Sequence, residues 1–452
     1  MKLAFASGLA ILMAVFLEAS APASTTSTNL AAGEFHSLFL SSDGSVWSMG
    51  ANSYGQLGDG TTVTFDGIYR PRLIATNGVV SLFAGALHSL FLKSDSSLWA
   101  CGCNQSGQLG DGTQNNTNRP KMILASGVKT VSGGNLHTMV LKTDGSLWVM
   151  GDNSYRQLGD GTASPTSSPK QIVSSDVTAI SAGGNHSLFV KSDGSLWAFG
   201  DNYYGQLGYG SIGFTNRPVQ VVTSNVISIA GGYNHSLFLT TDGGLWGMGN
   251  NTSGQLGIGT YSNTNRPQLI LSNGVIAIAA GRYHSLFLKA DGSLWGTGDN
   301  SYGELGTGVG GFTNVPQLIC ASNVVAIAAG EEHSLFTKEN GTVWAMGRNS
   351  MEQLGDGFTS TDPALPEQVY PPIPPRLTNN LAPGGDLIFT AACNFGGTYY
   401  LLETTNLALP RSQWSTVATN FIFNRSNNIF SATLNQATIP DNTPKFYILR
   451  LR

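Results

Sequence analysis

Through most of the chain, apolar and polar positions alternate in short runs separated by glycine-rich turns, which is the period of strands rather than helices. Val226-Ile-Ser-Ile-Ala230 and His235-Ser-Leu-Phe-Leu239 are two such runs, and Thr241-Asp242-Gly243 supplies the turn chemistry of a tight hairpin into a third, Gly244 to Met248. A fourth, shorter strand is predicted around Arg266 to Ile270, where Pro267 suits an edge because proline cannot donate to an interior ladder. In the third strand both faces are apolar: along Ser195-Leu-Trp-Ala-Phe199, Trp197 and Phe199 point one way and Leu196 and Ala198 the other. A sheet covered on both faces has to sit between two neighbours.

The unit recurs. Histidines stand at His36, His88, His137, His186, His235, His284 and His333, first 52 and then 49 residues apart, and no other histidine is present. Eleven residues after each comes a tryptophan, from Trp47 to Trp344; only Trp414 falls outside the series. A glycine precedes every histidine by three residues, Gly33 to Gly330, which predicts a positive-φ turn or a close backbone approach near an axis. The same reasoning covers the glycine of each Q-L-G that follows a tryptophan, Gly58 to Gly355. Four strands in ~50 residues, repeated radially, is the arithmetic of a β-propeller, and seven copies give seven blades. The first repeat departs from the rest. Its loop from Thr61 to Arg70 carries three extra residues, and Thr28 to Ala31 has little of the V-x-x-I pattern of Val275 to Ile278, which leaves ring closure open at that seam.

The ends differ in composition. Residues 1–23 read as a secretory signal: Lys2, an apolar run from Leu3 to Leu17, and Ala21-Pro22-Ala23 as an A-x-A cleavage pattern. The apolar run is shorter than the ~20 residues of a spanning helix, so no membrane span is expected after cleavage. The repeat domain is assigned to residues 24–369, a stiff proline-rich linker to 370–376, and a small β-sandwich-like module to 377–452. The module shows strand-like runs at Asp386–Thr390, Thr398–Glu403, Asn420–Phe423 and Lys445–Arg450. The whole is expected to be an all-β, exported, monomeric protein.

The unit A-G-x-x-H-S-L-F-L-K-x-D-G-S-L-W-x-x-G-x-N-x-x-G-Q-L-G-D-G-T, read from Ala31 to Val369, resembles the regulator of chromosome condensation repeat. The resemblance implies a seven-bladed propeller. For function it implies less, since similar proteins include a nucleotide-exchange factor for a small nuclear GTPase, a plant UV-B photoreceptor and secreted inhibitors of β-lactamase. A resemblance to the Asp-box of sialidase propellers fails on spacing, because Asp193 and Gly194 are adjacent here, as hairpin turns prefer.

Composition narrows the rest. Charged residues make up 11% of the chain, and a net charge of -4 offers no basic field for nucleic acid. Seven histidines at equivalent blade positions cannot converge within about 2.1 Å of one ion, so they are expected to pack and hydrogen-bond rather than bind metal. Asp59-Gly60, Asp111-Gly112, Asp160-Gly161 and Asp356-Gly357 lack the further oxygen ligands of a calcium loop and read as turns. Neither a nucleophile with its base nor paired carboxylates recur where glycoside chemistry would need them, so no enzyme activity and no cofactor is expected. Cys101 occupies a slot held elsewhere by Met49, Met150, Phe199, Met248 and Met346 and reads as a buried apolar residue; Cys103, Cys320 and Cys393 leave a disulfide open.

What varies between copies points to a binding surface. The pairs between glycine and histidine run Glu34-Phe35, Ala86-Leu87, Asn135-Leu136, Gly184-Asn185, Tyr233-Asn234, Arg282-Tyr283 and Glu331-Glu332. A second variable pair follows the repeated asparagine and brings in tyrosines. From the two sets, Tyr54, Tyr155, Tyr203, Tyr204, Tyr233, Arg282, Tyr283 and Tyr302 are the candidate partner-binding residues. The expected function is a secreted, non-catalytic scaffold that binds a protein or an envelope polymer. Nucleotide exchange on a small GTPase, or enzyme inhibition of the β-lactamase-inhibitor kind, are the alternatives that the resemblance implies.

Overall fold

In a computed structural model of the chain, the described residues are 29–41, 44–75, 78–357 and 362–370, together with seven strands between Arg376 and Leu451. The expected signal peptide, residues 371–375 of the expected linker, Cys393 and Trp414 lie outside them. Thr25–Tyr370 forms one compact unit, a ring of seven four-stranded antiparallel sheets whose strands follow one another in sequence order. The fourth blade is representative, with strands Val177–Ala182, His186–Lys191, Leu196–Gly200 and Thr215–Val222 from the axis outward. The proline-bearing strand is the outer edge, as its missing donor requires. In the second unit, one antiparallel sheet runs Arg376–Leu381, Leu387–Ala392, Ile429–Leu434, Ile422–Asn424, and another Ser415–Ala418, Tyr399–Thr404, Phe446–Leu451.

Alternation along the third strand distributes the core. Phe199 and Trp197 pack with Met139, Leu141 and Val149 of the third blade, while Leu196 and Ala198 pack with Phe238 and Met248 of the fifth. Every blade is thus covered on both faces, and the apolar core lies between sheets. The tryptophans are half-buried within it. The indoles of Trp99, Trp148, Trp197 and Trp295 donate to the serine of their own hairpin turn at 2.8–2.9 Å, and lysines such as Lys93 and Lys142 lie 4.0 Å over the ring. Cys101 is fully buried in the slot taken by methionine in four other blades, and Cys101, Cys103 and Cys320 are free thiols.

The histidines tie the ring together. Each Nε2 meets a hydroxyl on the second strand of the next blade: Ser89, Thr138, Ser187, Ser236, Ser285 and Ser334 at 2.8–3.0 Å, and finally Ser37 at 2.8 Å from His333. Each of these hydroxyls in turn donates to a backbone carbonyl of the preceding blade, as Ser187 does to Gln157 at 2.8 Å and Ser37 to Gln353 at 2.7 Å. A hydroxyl has one proton, so it must accept from the imidazole, and every histidine is the neutral Nε2–H tautomer. Closer to the axis, seven backbone hydrogen bonds of 2.9–3.1 Å join successive blades, from Glu34 to Ala86 around to Glu331 on Gly33.

The two repeated glycines have different causes. At Gly33, Gly85 and Gly330 φ is not positive; a Cβ there would lie 2.1–2.3 Å from Cε1 of the histidine three residues on, so the constraint is close approach alone. The glycine of Q-L-G does need the left-handed region, with φ from 57° at Gly306 to 80° at Gly110.

The seam resolves in the same terms. The first blade is Asn29–Ala32, His36–Leu40, Val46–Asn52 and Val63–Ala75, and the seventh is Val324–Ala329, His333–Lys338, Val343–Gly347 and Glu367–Tyr370, each a continuous stretch of chain. Closure therefore relies on contacts between two complete blades rather than on a sheet shared by both ends. Phe39, Met49 and Trp47 pack with Leu335, Val343, Leu354 and Tyr370, and the Phe39 and Tyr370 rings lie 4.8 Å apart. Tyr370, counted with the linker from composition, is the last residue of the outer strand. The weak first strand forms because Asn29–Ala32 has the ready edge of His36–Leu40 to pair with. The three extra residues enter a 13-residue outer strand and not an open loop: Gly50 pairs with Ile68 and Asn52 with Val63, so the outer strand advances five residues against two and absorbs them there.

If the clasp closes the ring, Ser37→Ala at the seam and Ser187→Ala inside it remove the same interaction. Each strands a buried imidazole donor and a carbonyl, and each is expected to lower stability by about 1–3 kcal/mol in denaturant unfolding. A loss confined to Ser187→Ala would contradict a clasp at the seam.

Candidate functional site

In a four-stranded meander, the connections from first to second and from third to fourth strand emerge at one end, and the hairpins at the other. Both variable sets therefore occupy one face of the ring, and the Asp-Gly hairpins occupy the opposite one. On the loop-bearing face the residue after the inner glycine lines the mouth of a channel of about 490 Å³ in six of the blades: Ala86, Asn135, Gly184, Tyr233, Arg282 and Glu331. Their side chains are free to differ because the backbone beneath them makes the inter-blade hydrogen bonds.

Four of the eight candidate residues come together here, on blades five to seven. Arg282 lies 5.1 Å over the Tyr233 ring and 5.2 Å over Tyr283, and its Nη1 reaches Glu331 at 3.4 Å and Glu332 at 3.5 Å. Arg348 pairs with the other oxygen of Glu332 and covers Tyr302 at 5.0 Å and Phe35 of the first blade at 5.4 Å. The cluster thus crosses the seam. Burial, with Glu34 adding like charge, outweighs the attraction of Arg282 and pushes Glu331 up to about 8. Burial likewise raises Glu34 and Tyr233.

The other four candidates stay apart. Tyr155 meets Phe214 edge-on at 5.8 Å and Tyr203 meets Tyr204 at 5.1 Å; Tyr203, Ile212 and Phe214 are 71%, 66% and 54% exposed, which makes an aromatic and aliphatic patch on blades three and four. Tyr54 is half-buried on the first blade, its N–H donating to Gln56 Oε1 at 3.0 Å. Sequence reasoning missed Glu331, Glu332, Arg348, Phe35, Ile212 and Phe214 as site residues. Glu331, Glu332 and Phe35 were visible as members of variable pairs. Arg348 carried a signal of its own, a positive charge at the position where Asp152, Asp201 and Asp299 stand in other blades.

The repeated polar groups are committed to the frame. The asparagine that opens each loop from third to fourth strand accepts from a leucine N–H, as Asn153 does from Leu158 at 3.0 Å. Asp111 accepts from Thr113 and from Lys121 at 2.6 Å; although burial works to raise its carboxyl, these partners hold it down to about 2. The histidines are fully buried, which pushes them down to about 3 at His88, His186, His235 and His333 and about 4 at His36, His137 and His284. Among the described residues, no group of three or more histidine, cysteine or carboxylate side chains is placed to hold a metal, and no helix is long and apolar enough to cross a membrane.

Sequence and structure comparisons agree with this geometry. The profile of the RCC1-like domain matches residues 127–394, and profiles of the regulator of chromosome condensation (RCC1) repeat match 28–56, 79–108, 43–92 and 95–141. Human Protein RCC2 is 42% identical over 82 residues, 18% of this chain and 15% of that protein. The X-linked retinitis pigmentosa GTPase regulator homolog of Caenorhabditis elegans is 36% identical over 93 residues, 20% of this chain and 6% of that protein. The alignments thus span only a small part of these relatives. Among solved structures, human WBSCR16 superposes with a TM-score of 0.65 at 23% identity, covering 74% of this chain and 95% of that one. Prp20p of Saccharomyces cerevisiae, solved in work on its binding to Gsp1p and histones, gives 0.65 at 24%, covering 72% and 85%. These structural likenesses show the fold.

The electrostatics predict a stability maximum near pH 6.5. The histidines, with folded values of about 3–4 against an ordinary 6.5, lose stability as pH falls below 6.5. Glu331 and Glu304, with folded values of about 8 against an ordinary 4.5, lose it as pH rises from 4.5 to 8. Below pH 6.5 the seven buried histidines, neutral in the fold and charged in the unfolded chain, act against the carboxyls that burial raises and outnumber them, so acid destabilises the fold. Tm measured across this range is expected to drop steeply on the acid side and gently from 6.5 to 8. A flat acid limb would contradict the neutral ring.

Proposed function

The chain belongs to the RCC1-like domain family, a propeller family, and from that premise we propose that it is an exported, non-catalytic platform that binds a partner protein through its loop-bearing face. One observation carries the reading. The repeated histidines, loop asparagines and strand-core residues are buried, whereas variable loop positions on one face expose large side chains, Tyr203, Ile212 and Phe214 foremost. Exposed aromatics on a rigid support bind with little loss of conformational entropy. The absence of a basic field argues against nucleic acid, and the apolar leader with its A-x-A pattern supports export.

A second reading, nucleotide exchange on a small GTPase, is favoured by the family and by the binding of Prp20p to Gsp1p. It requires a cytosolic or nuclear address, so detection of a mature exported form beginning at Ser24 would count against it.

The test is capture from envelope and secreted fractions with the full-length protein, beside a loop-face variant (Tyr203→Ser, Phe214→Ser) and a hairpin-face variant (Ile227→Ser). A partner kept by the wild type and the hairpin-face variant and lost by the loop-face variant is the expected result. No retained partner, or equal loss in both variants, would contradict it. Accelerated nucleotide release from a GTPase panel would favour the second reading.

A further inference from the structure

The seven blades are internal controls for one another, and they differ in how charge is arranged around the exposed apolar patch. At the mouth of the channel the arginines are committed: Arg282 pairs with Glu331 and Glu332, and Arg348 pairs with Glu332 and covers two rings. Around the patch on blades three and four they are not. Among the described residues, Arg156, Arg217 and Arg266 enter no ion pair, and the carboxylates of these loops are already engaged. Asp152 accepts from Ser154 at 2.7 Å and from Gln157 at 2.9 Å. Asp160 accepts from Thr162 at 2.7 Å and from Lys170 at 2.6 Å. Asp201, 6% exposed, accepts from the Tyr203 N–H at 3.1 Å.

Two of these arginines depart from what their position does in other blades. The last residue of N-x-x-G is glycine in five blades, with φ of 80–87°, and a Cβ on any of the five would lie 2.4–2.6 Å from the backbone of the next blade. Blade three has Arg156 there instead, held in the left-handed region at φ 69°. It follows Tyr155, whose ring meets Phe214 at 5.8 Å, and its Nη1 donates to the Ser154 carbonyl at 2.9 Å, which uses one of its five donors. Arg119, Arg217 and Arg266 share a second position, each laid across a glycine of the blade before it: a Cβ on Gly60, Gly161 or Gly210 would lie 2.6–2.8 Å from the guanidinium. The residue before that glycine is Asp59 under Arg119 and Asp160 under Arg217, but Tyr209 under Arg266. Arg266 thus lies on the one turn of the three that offers no carboxylate, and that turn runs on into Ile212 and Phe214.

We propose that this patch is the seat of an acidic protein segment with a bulky apolar anchor: the anchor lies on Tyr203, Ile212 and Phe214, and its flanking carboxylates meet Arg156, Arg217 and Arg266. It rests on the reading that the loop-bearing face receives a partner protein, and it gives that partner its chemistry. Exposed rings on a rigid support provide the anchor with contact area, while unpaired guanidiniums steer carboxylates in and hold them by paired hydrogen bonds. A basic segment would meet three like charges at the rim of the same patch.

Fluorescence anisotropy on the full-length protein tests this with three synthetic peptides: a phenylalanine set among aspartates and glutamates, its twin with lysine for every acid, and the acidic sequence with alanine for phenylalanine. The first is expected to bind roughly tenfold more tightly than either of the others, and less tightly as salt rises. Arg266→Ala and Arg156→Gly are each expected to weaken it roughly fivefold, whereas Arg119→Ala, the same position as Arg266 in blade two, leaves it unchanged. Arg156→Gly restores the glycine of five other blades, so it is expected to melt no lower than the wild type while binding less, which separates lost binding from misfolding. No binding of the acidic phenylalanine peptide, equal binding of its lysine twin, or equal loss in Arg119→Ala would overturn the proposal. So would salt-insensitive binding of a neutral glucan that Tyr203→Ser abolishes and Arg266→Ala does not. In the capture experiment, a partner lost by the loop-face variant but kept by an Arg156→Gly, Arg266→Ala variant would leave the binding face standing and overturn its acidic ligand alone.

Discussion

The structure depends on one small arrangement repeated seven times: a buried neutral imidazole donating to a hydroxyl on the next blade, which donates onward to a backbone carbonyl of the blade behind. A propeller has to bury polar backbone at the inner ends of its blades, and an unpaired polar group there costs as much as a lost hydrogen bond. The clasp uses the imidazole N–H, the hydroxyl proton and one carbonyl, and it leaves only Nδ1 unbonded, at six of the seven histidines. That orphan is why the ring must be neutral. A second proton on Nδ1 would have no acceptor and would sit among like charges on either side.

Several features follow from that arrangement. Each glycine three residues before a histidine exists because the imidazole folds back against it. Ring closure needs no strand exchanged between the ends, since His333 finds Ser37 as His186 finds Ser236. With blades fixed from within and packed by Phe, Trp and Met between sheets, the loops on one face are released from structural duty and can diverge. The charged mouth on blades five to seven and the apolar patch on blades three and four are two results of that freedom.

The fold was almost wholly legible in the sequence because every repeated residue has a repeated physical task. Four strands, the edge proline, the two-faced third strand and the buried Cys101 could all be read from periodicity. The cause of the first glycine could not, because a close approach and a positive φ leave the same mark in a sequence. Nor could the fate of the three extra residues, since a bulged strand and a loop have similar composition. Of the candidate site, Tyr233, Arg282, Tyr283 and Tyr302 converge, while Tyr54, Tyr155, Tyr203 and Tyr204 stand elsewhere on the face. The repeat fixes which face a residue is on, but convergence depends on which blades are neighbours across the seam and on partners such as Arg348 that lie outside the variable pairs.

The most direct test of the central claim is nitrogen NMR of histidine side chains in protein labelled at the imidazole nitrogens, recorded at pH 5.5 where free histidine is mostly charged. The account predicts seven neutral rings, each with its proton on Nε2 and a bare Nδ1. Imidazolium signals from the folded protein, or rings protonated at Nδ1 instead, would contradict it.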